Sequence, residues 1–172
     1  MKENQFQLRK PDIVRNQKLR KPQREGYIAI QDYFSNANAE REVGVMLPVG
    51  CGKSGLITIA PFALRSQRTL VIAPGREIAG QLLRDFDPTS AEFFYEKCFV
   101  LQGPPYPEAA EIRRAIRADI DEADVVVTNI HQLQGQGNKW LSQLPPDFFD
   151  LNYSSCFDCV WRAGHAEPYN YR

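Results

Sequence analysis

The run Gly50-x-Gly52-Lys53-Ser54 gathers the residue types best suited to chemistry in this chain. Two glycines free the backbone to turn successive N–H groups toward one point, and an ammonium and a hydroxyl follow directly. That set suits a phosphate chain, with Lys53 as a point charge on terminal phosphate oxygens and Ser54 as a hydroxyl ligand to Mg²⁺. The strict spacing G-x-x-x-x-G-K-[ST] asks for glycine at position 47, where Leu47 stands. Pro48 and Val49 lead into the run, and Cys51 within it reads as a small filler that offers its backbone N–H. The plainer alternative is a glycine-rich turn beside an incidental lysine.

Such a loop acts only between a strand and a helix, because the helix N-terminus supplies the positive end of a dipole. The flanking patterns predict both. Val43-Gly44-Val45-Met46-Leu47 reads as a buried strand, and Leu56, Ile57, Ile59 and Ala60 suggest a buried helix from Lys53 to near Pro61. Ahead of them, Pro22 suits a first helical turn. Tyr27, Ile30 and Phe34 share a helical face, and Asn36 and Asn38 are plausible stops. The alternation then repeats, with strands at Thr69–Ala73, Cys98–Leu101 and Asp124–Thr128. Helices are expected at Arg76–Phe86 and Pro107–Ala118 and around Trp140 to Leu144. Continuous apolar strands separated by helical stretches predict an α/β fold, a mostly parallel sheet with helices on both faces.

Several segments resemble the first RecA-like lobe of superfamily 2 helicases of DEAD/DEAH type, in the branch of the type III restriction enzyme helicase subunit. Leu47 to Ser54 is similar to its motif I, A-x-x-G-x-G-K-[ST], apart from Leu47. Leu19-Arg20-Lys21-Pro22-Gln23 resembles the L-R-x-x-Q segment, and Pro74-Gly75-Arg76-Glu77-Ile78-Ala79-Gly80-Gln81 resembles P-T-R-E-L-A-x-Q, with Gly75 in place of Thr. Asp124-Val125-Val126-Val127-Thr128 looks like D-V-V-V-T-T. The resemblance implies a P-loop NTPase lobe over residues 19–151. Gln23 would read adenine, Pro48 to Ser54 would hold ATP, and Ser54 would reach Mg²⁺ through it. Pro74, Gly75, Arg76 and Thr128 would lie along a nucleic-acid backbone, DNA or RNA. On the residues alone, a glutamine such as Gln23 at a helix start is more often a surface residue, and Arg76 reads as a solvated helix start.

In that family the chain continues after Phe149-Asp150-Leu151 into a β-branched strand and Asp-Glu-x-His, whose carboxylates hold Mg²⁺ and orient the attacking water. Here Asn152-Tyr153-Ser154-Ser155-Cys156 follows instead, with no Asp-Glu pair. The expectation is therefore a lobe incomplete at its C-terminus and deficient in hydrolysis. Residues 152–172 would form a divergent tail, without the family's second lobe. Two other readings stay open: a non-catalytic module that binds nucleotide or nucleic acid, and a P-loop NTPase outside the helicases.

With 172 residues, 43% hydrophobic and 24% charged, the chain has the makings of a core and is unlike a disordered tail. Its charges cancel, yet residues 1–25 hold eight bases and three acids. Residues 1–18 read as a basic, flexible lead-in, either a nucleic-acid contact or a solvated arm. No stretch is apolar enough for a membrane span or a signal core, which points to a cytoplasmic, nucleoid or nuclear protein. The four cysteines read as reduced thiols. Cys156, Cys159 and His165 give three candidate zinc ligands where a closed site needs four.

Overall fold

The computed structural model describes residues 4–112, 117–133, 144–145, 147–155 and 159–163. In chain order the elements are α1 (Gln5–Leu8), α2 (Lys21–Ser35), β1 (Glu42–Val45), α3 (Lys53–Leu64), β2 (Thr69–Ala73), α4 (Arg76–Phe86) and α5 (Phe94–Lys97). After them come β3 (Ala109–Glu111), α6 (Arg117–Glu122), β4 (Val125–Asn129), α7 (Ile130–Leu133), β5 (Leu151–Ser155) and β6 (Cys159–Ala163). One sheet runs β1-β6-β5-β2-β4-β3. Its heart, β5-β2-β4-β3, is parallel throughout. β6 is antiparallel to both β5 and β1, so β1 points the same way as the other four.

The central strands show why apolar runs become a parallel sheet. Every residue of β2 and β4 is buried. Alternate side chains serve opposite faces. Val71, Ala73, Val125 and Val127 pack with α2, α3, α4 and α5, whereas Leu70, Ile72 and Val126 pack with Ile120 of α6, Leu144 and Phe149. The expected α/β lobe with both faces covered is what the chain builds. No helix among the described residues is long and apolar enough to cross a membrane.

Local chemistry sets the helix ends that matter for the site. α2 starts with Pro22 in its first turn, while the Arg20 N–H donates to Gln23 Oε1 at 2.9 Å. Asn36 caps its end. A Cβ on Gly26 would stand 2.9 Å from Leu56 Cδ2, so the glycine lets α2 lie close against α3. Pro61 does not close α3, which runs on to Leu64. Phe62 explains the extra turn, since its ring meets Phe6 edge-on at 4.9 Å and Tyr95 at 5.8 Å.

Other expectations are corrected. Cys98–Leu101 is no strand. The Val100 N–H donates to Tyr95 O at 2.8 Å, and the carbonyls of Cys98 and Val100 accept from Asn16 Nδ2 and the Asp12 N–H. The apolar side chains of Val100 and Leu101 are buried all the same, as a plug of tight turns behind α5. Where a helix was expected from Pro107, residues 109–111 instead pair with β4, whose open edge outweighs their helical propensity. Among the described residues of that stretch, the helical part is α6, from Arg117 to Glu122. The lead-in is ordered from Asn4 onward: Phe6 and Ile13 are core residues, and Arg9 donates to the carbonyls of Gln102, Gly103 and Pro104. After Leu151 a strand is present, and the sheet continues through β5 into β6. The expected helix around Trp140 lies outside the described residues, as do Cys156 and His165.

Candidate functional site

The glycine-rich loop spans the gap between β1 and α3. Gly50 and Gly52 have φ of 81° and 86°, a left-handed backbone that costs other residues about 1 kcal/mol or more. Gly52 is the N-cap of α3, and its carbonyl takes the first helical bond from the Leu56 N–H at 3.2 Å. Lys53 and Ser54 are half-buried in the opening turn. The Ser54 carbonyl accepts from Thr58 Oγ1 at 2.9 Å, which steadies that turn.

Two residues ahead of α2 and in its first turn hold the loop from behind. The Arg20 guanidinium donates to Gly50 O, and Gln23 Nε2 donates to Gly52 O at 2.9 Å. Gln23 is 4% exposed, with its carboxamide bridging Arg20 and Gly52. Sequence reasoning missed Gly55. A Cβ there would run into Gln23 Nε2 and stand 2.6 Å from Phe94 Cζ, so only glycine admits both side chains.

These residues line one cavity of about 680 Å³, and Gln23, Val49, Gly50, Gly52, Lys53 and Ser54 all face it. α4 closes the other side with Ile78, Gln81, Leu82 and Asp85, while Phe94, Lys97 and Cys98 come from α5 and its end. Pro48 and Cys51 shape the loop, and the Cys51 N–H donates to Pro48 O at 3.2 Å. The left-handed glycines, the helix start and the lysine and hydroxyl beside it fit a nucleotide's phosphate chain. Among the described residues no cluster of three His, Cys, Asp or Glu could hold a metal ion.

Charges within the cavity are unevenly satisfied. Lys97 Nζ and Glu92 Oε2 pair at 2.5 Å, and each holds the other in its charged form. Burial pushes the Cys98 thiol up. It also pushes Asp85 up to about 6, with Glu92 adding to the rise and Lys97 and Arg84 opposing it.

Pro74 lines both this cavity and a shallow hollow shared with Gly75, Arg76, Glu77, Ile78 and His131. Gly75 is the N-cap of α4 and Arg76 is exposed beside it. The structure does not bring Thr128 to that surface. It is fully buried in β4, and its hydroxyl donates to Gln132 Oε1 at 3.0 Å.

No curated protein and no solved structure gives a significant match to the chain. Residues 16–157, which carry the loop, Gln23 and the central strands, match the family described as type III restriction enzyme, res subunit. The chain belongs to that family, and its fold is the family's helicase-type ATP-binding lobe.

Proposed function

We propose that this lobe binds Mg·ATP on the loop from Pro48 to Ser54 and engages a nucleic-acid backbone through Pro74, Gly75 and Arg76, with slow or no hydrolysis of its own. One observation carries the reading. Gly50, Gly52, Lys53 and Ser54 open α3 with a left-handed turn and face the same cavity as Gln23. Lys53 would take the terminal phosphates, backbone N–H groups of the loop the others, and Ser54 the Mg²⁺, which neutralises phosphate charge when bound. Gln23 would read adenine with whichever amide proton and lone pair its loop contacts leave over.

Pro74 links the two functions, since it borders both the nucleotide cavity and the hollow beside Arg76. Phosphate contacts there would position a strand without reading its sequence. Thr128 would join only if its hydroxyl left Gln132. Slow turnover follows from the missing carboxylates, because no Asp-Glu pair follows β5 in residues 156–172. That same observation favours the second reading, a module that binds without catalysis.

The test measures ATP affinity and turnover with and without single-stranded DNA or RNA, for the wild type and Lys53→Ala. Binding is expected to weaken at least about tenfold in Lys53→Ala, the loss of one charge-assisted contact. Affinity indifferent to Lys53 would overturn the site, and brisk turnover stimulated by nucleic acid would overturn the expected deficiency.

A further inference from the structure

Asp85 faces the nucleotide cavity without a part in the reading above. It lies in the last turn of α4 and is 8% exposed. Its Oδ2 is buried and, among the described residues, has no hydrogen-bond partner. Three effects make the ionised side chain costly there: burial, an unmatched oxygen, and the negative end of the α4 dipole. Lys97, the cation that most favours its ionised form, is already hydrogen-bonded to Glu92. A donor brought by a ligand would satisfy the unmatched oxygen and offset part of the cost of burial.

The shape of the cavity says what kind of ligand. Ile78, Gln81, Leu82 and Asp85 share one face of α4, with Asp85 about 10 Å along the axis from Ile78. Ile57 and the Phe94 ring add apolar surface to the same cavity, which at its loop end carries Lys53. A ligand with phosphates on Lys53 would thus lay its uncharged end along apolar walls toward a carboxylate. A carboxylate only accepts, so the matching group is an O–H or N–H donor. A nucleoside offers both kinds, its sugar hydroxyls and an exocyclic amine.

We propose that Asp85 is a specificity residue of the nucleotide cavity, accepting a hydrogen bond from a sugar hydroxyl or the exocyclic amine of the nucleoside. The assignment rests on the nucleotide reading of the loop. The test titrates Mg·ATP, 2′-deoxy-ATP, 3′-deoxy-ATP and the 6-deaminated purine riboside triphosphate into the full chain by calorimetry. Wild type, Asp85→Ala, Asp85→Asn and Lys53→Ala are compared.

One analogue, the one lacking the donor that Asp85 holds, is expected to bind wild type about tenfold or more weaker than ATP. Its identity tells sugar from base. The difference should shrink to about twofold in Asp85→Ala. Asp85→Asn keeps the side chain's shape without its charge, and should leave a difference of a few-fold even if the alanine variant fails to fold. Equal binding of all four nucleotides to wild type, or a difference that survives both substitutions, overturns the proposal. If ATP binding depends on Lys53 but not on Asp85, this assignment falls and the nucleotide reading stands. If no nucleotide binds wild type, both fall.

Discussion

Asp85 also makes stability depend on pH in the absence of any ligand. Its carboxyl is raised from 3.8 to about 6, chiefly by burial. Glu92 and Arg84 act on it along with Lys97, and Lys18 and Cys98 line the same cavity. Between those two values the folded chain keeps a proton that the unfolded chain has released. Stability therefore falls as pH rises through that window and levels off above about 6. At 1.36 kcal/mol per unit, the loss is up to about 3 kcal/mol. Asp85→Asn should accordingly be about 1–3 kcal/mol more stable than wild type at pH 7.5, with the advantage gone by pH 4. Urea midpoints at the two pH values check this, and an advantage equally large at pH 4 would assign it to something other than ionisation. Nothing in the sequence distinguishes Asp85 from any acid near a helix end, because its role arises from burial against residues around position 95. Gly55 and Phe94 are silent for the same reason, being contacts across about forty residues. Gly50 to Ser54 could be read directly, because neighbouring residues there impose the backbone angles and the charge themselves.

Elements were legible where they bury themselves on both sides. β2, β4 and α4 follow from apolar runs and helical spacing, since a strand buried on both faces or an amphipathic helix leaves a periodic trace. Residues 98–101 have the same apolar run and fold as a plug, because hydrophobicity records burial and not hydrogen-bond direction. β3 and β6 leave still less trace, since each exists by virtue of a neighbour's open edge. β6 matters most, because it separates β1 from β5 by two strand spacings, roughly 10 Å. A carboxylate beyond β5 would thus begin one strand further from the glycine-rich loop than if β5 and β1 were neighbours. Val160 stands in register with Gly44 on one side and Ser154 on the other. A proline there cannot donate to either ladder, and an interior strand tolerates it poorly. Val160→Pro should cost about 3 kcal/mol, a fall in Tm of about 6–12 °C for a chain of this size. An unchanged Tm would show that β6 contributes nothing to the sheet.

At the scale of the whole molecule, the family match begins at residue 16, yet the fold's core begins earlier. Phe6 is 1% exposed against Phe62, and Ile13 is 2% exposed. Asn4 caps α1 through the Phe6 N–H at 2.9 Å and reaches Asp124 Oδ1 at 3.0 Å, which fastens the start of the segment, while the Asp12 N–H on Val100 O fastens its end. Fully burying each of the two side chains is worth about 1.5–3 kcal/mol. Removing residues 1–15 should therefore lower stability by about 3–6 kcal/mol, a large share of the ~5–15 kcal/mol typical of a domain. Urea unfolding of the shortened chain tests this, with Phe6→Ala as a milder variant. A loss under about 1 kcal/mol would make the segment an appendage after all. The same deletion reaches the site, because the Asp12 N–H donates to Val100 O at 2.8 Å and so anchors the turn that follows Cys98 in the cavity wall. ATP affinity should then weaken by more than the fall in stability explains, when measured at a temperature where the shortened chain is still folded. Unchanged affinity would confine the segment's work to the core and leave the proposed nucleotide cavity to the elements from α2 onward.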